Sequence, residues 1–214
     1  MKVSPSILSA NFAALKEDIE RTNKASYLHI DVMDGVFVPN ISFGASIQKQ
    51  IRPLFKDMIF DTHLMIIEPH KYIKDFVDAG SDYITFHIEA KSNINETIDL
   101  IHSYGKKAGL SIKPNTDPKD LIPYLNKIEL VLVMSVEPGF GGQKFMPNSI
   151  EKIKWLKEYK KKNNLNYLIN VDGGINKDTY KFVEDAGTDL AVMGSFLYKN
   201  DNPNEWIEKI ETGK

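Results

Sequence analysis

Eight short runs rich in Val, Ile, Leu and Tyr recur along this chain, and the stretches between them carry apolar residues at helical spacing. The runs cover residues 3–8, 27–32, 58–65, 83–87, 109–112, 130–136, 167–172 and 190–193. Phe12, Leu15 and Ile19 share one helical face, as do Tyr72, Phe76 and Ala79, then Ile94, Ile98 and Ile101, and then Ile150, Ile153 and Leu156. Gly80, Gly105 and Gly187 each stand between such a stretch and the next apolar run, where a helix stop belongs. Strict alternation of strand and helix makes a parallel sheet, and eight such units predict closure into a (β/α)8 TIM barrel. The weakest units are the fifth helix, expected over 117–125 with Pro118 and Pro123 inside it, and the eighth, expected over 206–210.

A chain of 214 residues with 42% hydrophobic content is long enough for one substantial core, so residues 1–214 are expected to form a single barrel domain. Its 27 basic and 29 acidic residues nearly cancel, which leaves no global field to attract nucleic acid or an anionic membrane. An anionic ligand must therefore be caught locally. The absence of cysteine removes disulfides, thiolate metal sites and cysteine nucleophiles together. No run approaches the ~20 apolar residues that span a bilayer, and the first residues lack a basic segment followed by a long apolar one. The expected setting is the cytoplasm. The basic run 160–162 reads as a solvated helix end.

Function in such a barrel collects at the C-terminal ends of the strands. The second strand ends in His29, Ile30, Asp31, Val32 and Met33, and alternation points His29, Asp31 and Met33 to one side. His63 and Met65 share a face at the end of the third, and Asp172 ends the seventh. A lone His or Asp at a strand end is usually a hydrogen-bonded structural group. Two imidazoles and two carboxylates on three strand ends instead make a candidate site for one divalent ion, with zinc, iron(II), manganese or cobalt all compatible with nitrogen and oxygen donors. His87, ending the fourth strand, is placed to orient a ligand by hydrogen bonding. His70 and His102 are expected at the surface. Met33, Met65 and Met134 would ordinarily be packing residues, but at one rim they can also shield a reactive anion from water.

Glycines gather at the next strand ends: Gly139, Gly141 and Gly142 around Phe140, then Gly173 and Gly174, then Gly194 before Ser195. Each pair alone is a tight turn. Together after strands six to eight they suggest a backbone cradle for phosphate, a recurrent feature of this barrel.

The segments 4–9, 29–39 (HIDVMDGVFVP), 63–65, 137–143 (EPGFGGQ), 171–174 (VDGG) and 194–195 closely resemble the ribulose-phosphate 3-epimerase family, in the family's order from Val3 to about Tyr198. The resemblance implies a barrel of the ribulose-phosphate-binding type and a metal held by His29, Asp31, His63 and Asp172. It implies that Asp31 and Asp172 act as acid and base, and that Ser6 and His63 contact the substrate. It also implies that the 139–142 loop with Gly173, Gly174, Gly194 and Ser195 holds the phosphate, while Met33, Met65 and Met134 flank the intermediate. The sequence departs from the family at Val36, where many relatives have His, and at Asn11, where Asp is common.

Inverting a stereocentre beside a ketone removes a proton from one face and returns one to the other, and two aspartates suit that task. The enediolate formed between those steps carries charge that a Lewis acid stabilises. The expected reaction interconverts D-ribulose 5-phosphate and D-xylulose 5-phosphate. A 3-epimerase of another ketose phosphate such as D-allulose 6-phosphate would share the chemistry, and a non-catalytic sugar-phosphate-binding barrel would retain only the cradle. The Asp-x-Lys-x-x-Asp array of orotidine-phosphate-type decarboxylases is absent. A small sugar phosphate is the expected partner, with a homo-oligomer the expected assembly.

Overall fold

Each apolar run forms a strand whose side chains point alternately into the barrel and out to the helices and are buried on both sides. The computed structural model, which describes residues 1–213, has β1 at Lys2–Pro5, β2 at Tyr27–Met33, β3 at Ile59–Met65, β4 at Tyr83–His87, β5 at Lys107–Ile112, β6 at Leu130–Met134, β7 at Leu168–Asp172 and β8 at Leu190–Met193. The helices are α1 at Leu15–Glu20, α2 at Ala45–Ile51, α3 at Ile73–Asp78, α4 at Ile94–Ser103, α5 at Asn148–Lys162, α6 at Tyr180–Ala186, α7 at Ser195–Tyr198 and α8 at Pro203–Thr212. All neighbouring strands pair in parallel, in the order β1-β8-β7-β6-β5-β4-β3-β2. The remaining seam, between β1 and β2, is a parallel bridge from Ser6 to His29. That bridge brings the end of the first strand beside the second, where the candidate ligands lie.

Side chains that leave the barrel outward, such as Leu28, Ile30, Phe60, Leu64, Ile84, Phe86, Val131, Val133 and Val171, pack with the buried helix residues Ile19, Ile73, Phe76, Ile98, Ile101, Ile153, Leu156 and Val183 in one cluster. Burying each of the larger aliphatic side chains stabilises the fold by ~1.5–3 kcal/mol, so this outer layer supplies most of the driving force. The inward side chains Tyr83, Leu130, Leu132, Leu190 and Val192 form a second cluster that plugs the barrel. Phe12 lies in a 3-10 turn ahead of α1 and Tyr72 just before α3, so both leave the helical faces expected for them and are nearly half exposed, with Phe12 against Phe43 at 5.3 Å between ring centroids.

Helix ends follow local chemistry. Asn93 caps α4 by accepting from the Glu96 N–H, and its Nδ2 donates to the Glu96 carboxylate at 2.8 Å. Gly187 ends α6 in the left-handed region at φ 111°. The predicted fifth helix shrinks to a 3-10 turn at Pro118–Leu121, because two prolines within six residues remove backbone donors. The eighth helix is longer than predicted, since Pro203 is tolerated in its first turn. No described helix is long and apolar enough to cross a membrane.

Candidate active site

Register between β2 and β3 sets His29 beside Asp61, Asp31 beside His63, and Met33 beside Met65. All six side chains are buried. Each imidazole has one nitrogen tied and the other aimed at the centre. His29 Nδ1 lies 2.8 Å from Asp61 Oδ2, leaving Nε2 buried without a hydrogen-bond partner, 3.2 Å from Asp31 Oδ1. His63 Nε2 lies 2.8 Å from His87 Nε2, leaving Nδ1 3.2 Å from Asp31 Oδ1 and 3.9 Å from Asp172 Oδ2. One donor atom from each of His29, Asp31, His63 and Asp172 lies within 4.8 Å of the others. Donors at ~2.0–2.1 Å around a tetrahedral ion stand ~3.4 Å apart, so these residues fit a divalent metal of the borderline kind. The orphaned Nε2 of His29 is the plainest sign of that fit.

Burial favours the neutral form of every group here. At Asp31 it is outweighed by the His29 charge and the contact with His63, which hold the carboxyl far below the usual carboxylate range. Burial is likewise overcome at His29, which Asp31 and Asp61 drive well above the usual imidazole range. At Asp172 burial and the Asp31 charge act together and push the carboxyl up to about 7. His63 is lowered by burial, against the pull of Asp31. His87 falls to about 4 because burial exceeds the stabilising contact with Glu89. The surroundings thus drive the two carboxyls apart, Asp31 down and Asp172 up to about 7.

Above the cluster opens a recess of about 280 Å³ lined by Ser6, Asp31, Asp172, the three rim methionines Met33, Met65 and Met134, and the glycine segments with Phe140 and Ser195. Ser6 Oγ donates to Asp31 Oδ2 at 2.5 Å. His29 and His63 lie fully buried and do not line the recess. Gly173 and Gly174 have φ values of +123° and +67°, and an added Cβ would come within 2.5 Å of Val136 and of the Phe145 backbone nitrogen. Only glycine lets the chain turn here with its amides close to the opening. Phe140 is 54% exposed at the edge of the recess.

Further residues hold this geometry, among them Asp34 and Gln143 from within the 29–39 and 137–143 segments and Ser135 and Asn40 from outside them. Ser135 donates through Oγ to the carbonyls of Asp172 and Gly173 at 2.9 and 2.7 Å, fixing the end of β7. Asp34 accepts from the amides of Val36, Phe37 and Ile67 and so shapes the loop after β2, with its carboxyl held low by those bonds despite partial burial. Gln143 ties the 137–143 loop from within through the carbonyls of Glu137 and Phe140. Asn40 Nδ2 reaches the Gly139 carbonyl at 2.7 Å and links the two loops. Val36 is 72% exposed and Asn11 caps a 3-10 turn through Ala13, so the two family departures lie outside the cluster. His70 faces solvent beside Ser92, and His102 is half-buried against Glu129.

A parallel barrel whose strand ends gather ionisable side chains under a glycine-lined recess belongs to the TIM-barrel enzymes, and the solved structures it resembles agree. KGPDC from Streptococcus mutans superposes with a TM-score of 0.73 over 99% of this chain and 95% of its own, at 15% identity, which speaks to the fold alone. The sequence is more specific. The ribulose-phosphate 3-epimerase family model matches residues 2–198. The ribulose-phosphate 3-epimerase of Bacillus subtilis (strain 168) is 44% identical over 100% of both chains, and that of Synechocystis sp. (strain ATCC 27184 / PCC 6803 / Kazusa) is 42% identical over 99% of this chain and 94% of its own. The chain belongs to the ribulose-phosphate 3-epimerase family, whose enzymes are isomerases.

Proposed function

We propose that the protein interconverts D-ribulose 5-phosphate and D-xylulose 5-phosphate by shuttling a proton at C3 between Asp31 and Asp172, with a divalent ion held by His29, Asp31, His63 and Asp172. The observation that carries this reading is the meeting of two carboxylates and two imidazoles within one four-donor cluster, where the Asp31 carboxyl is held low and that of Asp172 is pushed up. A pair of titratable groups whose surroundings drive their pKa values apart is the arrangement acid–base chemistry needs.

The ionised carboxylate takes the C3 proton while the protonated one returns a proton to the opposite face, and the roles exchange in the reverse direction. When bound, a divalent ion supplies Lewis-acid stabilisation of the charge on the enediolate oxygens. Ser6 holds Asp31 in place and presents its hydroxyl to the recess. The three methionines offer no hydrogen bonds, so they keep water from the anionic intermediate. The amides of the 139–142 loop, Gly173, Gly174, Gly194 and Ser195 receive the phosphate, which answers how a chain of net charge −2 holds a dianion. Metal binding competes with protons at His29 and Asp172, so loading is favoured by rising pH.

The test is epimerisation of ribulose 5-phosphate, followed together with deuterium entry at C3 from heavy water, before and after chelation. The expected result is loss of both signals on chelation and their return with zinc, iron(II), manganese or cobalt. Full turnover by protein shown to be metal-free would overturn the metal role, and the same assay on D-allulose 6-phosphate fixes the substrate.

A further inference from the structure

Behind His63 runs a directional chain that the epimerase chemistry does not itself require. For His63 Nδ1 to face the cluster as a lone pair, its single proton must sit on Nε2, which lies 2.8 Å from His87 Nε2. One hydrogen bond between two imidazole nitrogens holds one proton, so His87 decides which nitrogen of His63 carries it. His87 Nδ1 lies 3.1 Å from Glu89 Oε2. A carboxylate only accepts, and Glu89 Oε1 already takes the Lys113 N–H at 2.8 Å and the Thr116 hydroxyl. Glu89 thus favours the His87 proton on Nδ1, with Nε2 accepting and the His63 proton on Nε2, whereas the Asp31 carboxylate, 3.2 Å from His63 Nδ1, favours the reverse order until a cation takes that lone pair.

The base of the chain is fastened. Lys152 on α5 donates to the carbonyls of Lys113, Pro114 and Thr116 at 3.0, 2.7 and 2.6 Å, and Asn148 Nδ2 reaches the Pro114 carbonyl at 3.2 Å. On the other side the Phe37 ring covers His87 with centroids 4.7 Å apart, and Lys113 Nζ sits 3.9 Å from the Phe37 centroid. These contacts hold the loop that supplies Glu89 with two of its donors.

We propose that Glu89 is a positioning residue that sets, through His87, which nitrogen of His63 faces the metal cluster. This rests on the metal site proposed above, and it concerns a residue that touches neither substrate nor ion. Replacing Glu89 by Gln supplies a group that both donates and accepts, so the direction of the chain is no longer imposed.

The test reads the ring-nitrogen chemical shifts of His63 in metal-free protein and zinc affinity by competition with a chromophoric chelator. The unsubstituted protein should show the His63 proton on Nε2 in the majority, Glu89 outweighing Asp31. Glu89→Gln should show both His63 tautomers and lose ~10–100-fold in zinc affinity, the range for removing an orienting partner of a metal ligand. Glu89→Asp, which keeps the anion, should recover part of that loss, and Thr116→Val, which removes one donor to Glu89 but leaves its charge and its bond to His87, should match the unsubstituted protein. The proposal is overturned if unsubstituted His63 carries its proton on Nδ1, if Glu89→Gln leaves tautomer and affinity unchanged, or if Thr116→Val loses as much as Glu89→Gln. Failure of the unsubstituted protein to bind zinc would sink the metal reading instead, and the tautomer measurement on metal-free protein would still decide the relay.

Discussion

Replacing Asp172 by Asn separates the catalytic need for a carboxyl at that position from its cost to folding. The carboxyl of Asp172 rises from an ordinary 3.8 to about 7 in the folded, metal-free chain, through burial first and the Asp31 charge second. A raised carboxyl favours folding only while protonated: its contribution is intact below the unfolded pKa and is lost as pH climbs through 7. Every tenfold gain in proton affinity on folding corresponds to ~1.36 kcal/mol, so the ionised group costs the apoprotein on the order of 4 kcal/mol above pH 7 as an upper bound. About half of that is already felt near pH 5.5, which leaves a change of about 2 kcal/mol between pH 5.5 and about pH 8. The neutral, nearly isosteric Asn escapes the penalty. Urea unfolding of chelated protein should therefore show Asp172→Asn gaining about 2 kcal/mol on the unsubstituted chain across that interval. Activity should move the other way, falling ~10²–10⁴-fold because a positioned acid–base group is gone. A stability gap that does not change with pH would refute the electrostatic reasoning, and near-normal turnover would refute the two-base assignment.

Asp61→Asn should weaken metal binding by ~10–100-fold, since Asp61 Oδ2 accepts from both His29 Nδ1 and Asn170 Nδ2 and the amide no longer fixes the His29 tautomer; chelator competition measures it, and an unchanged affinity removes Asp61 from the support of the site. Gly174→Ala forces a side chain into φ +67° and against Phe145, so unfolding should cost at least ~1–2 kcal/mol less than in the parent, and KM for the sugar phosphate should rise as the cradle shifts. Urea titration and initial-rate kinetics check the two effects, and a parental KM would argue against phosphate at this turn.

Signals confined to a few residues of chain were readable in advance. The alternation that aims His29, Asp31 and Met33 inward is a period-two property of one strand, and the turns at Gly80, Gly105 and Gly187 need only local backbone freedom. The fifth helix is shorter than its apolar spacing predicts, because that spacing persists through a stretch that Pro118 and Pro123 cannot keep helical. Asp61 was visible as a letter in the third strand but not as the partner of His29, since that contact depends on β2–β3 register. Asn170, Ser135 and Lys152 were hidden for the same reason, each acting on a residue from another strand or loop, and Glu89, only two positions from His87, was hidden because its other partners, Lys113 and Thr116, come from the loop after β5.

The amino-acid sequence by itself determined the order of strands and helices, the inward face of each strand, and the kinds of donor available to the site, because all of these are set by side-chain chemistry and short-range periodicity. The tertiary structure alone decided which imidazole nitrogen is tied and which is free, and which aspartate has its proton affinity raised. Those outcomes arise from register, burial and mutual charge among residues up to 143 positions apart, taking His29 and Asp172 as the ends of the span, and such distances close only when the barrel does.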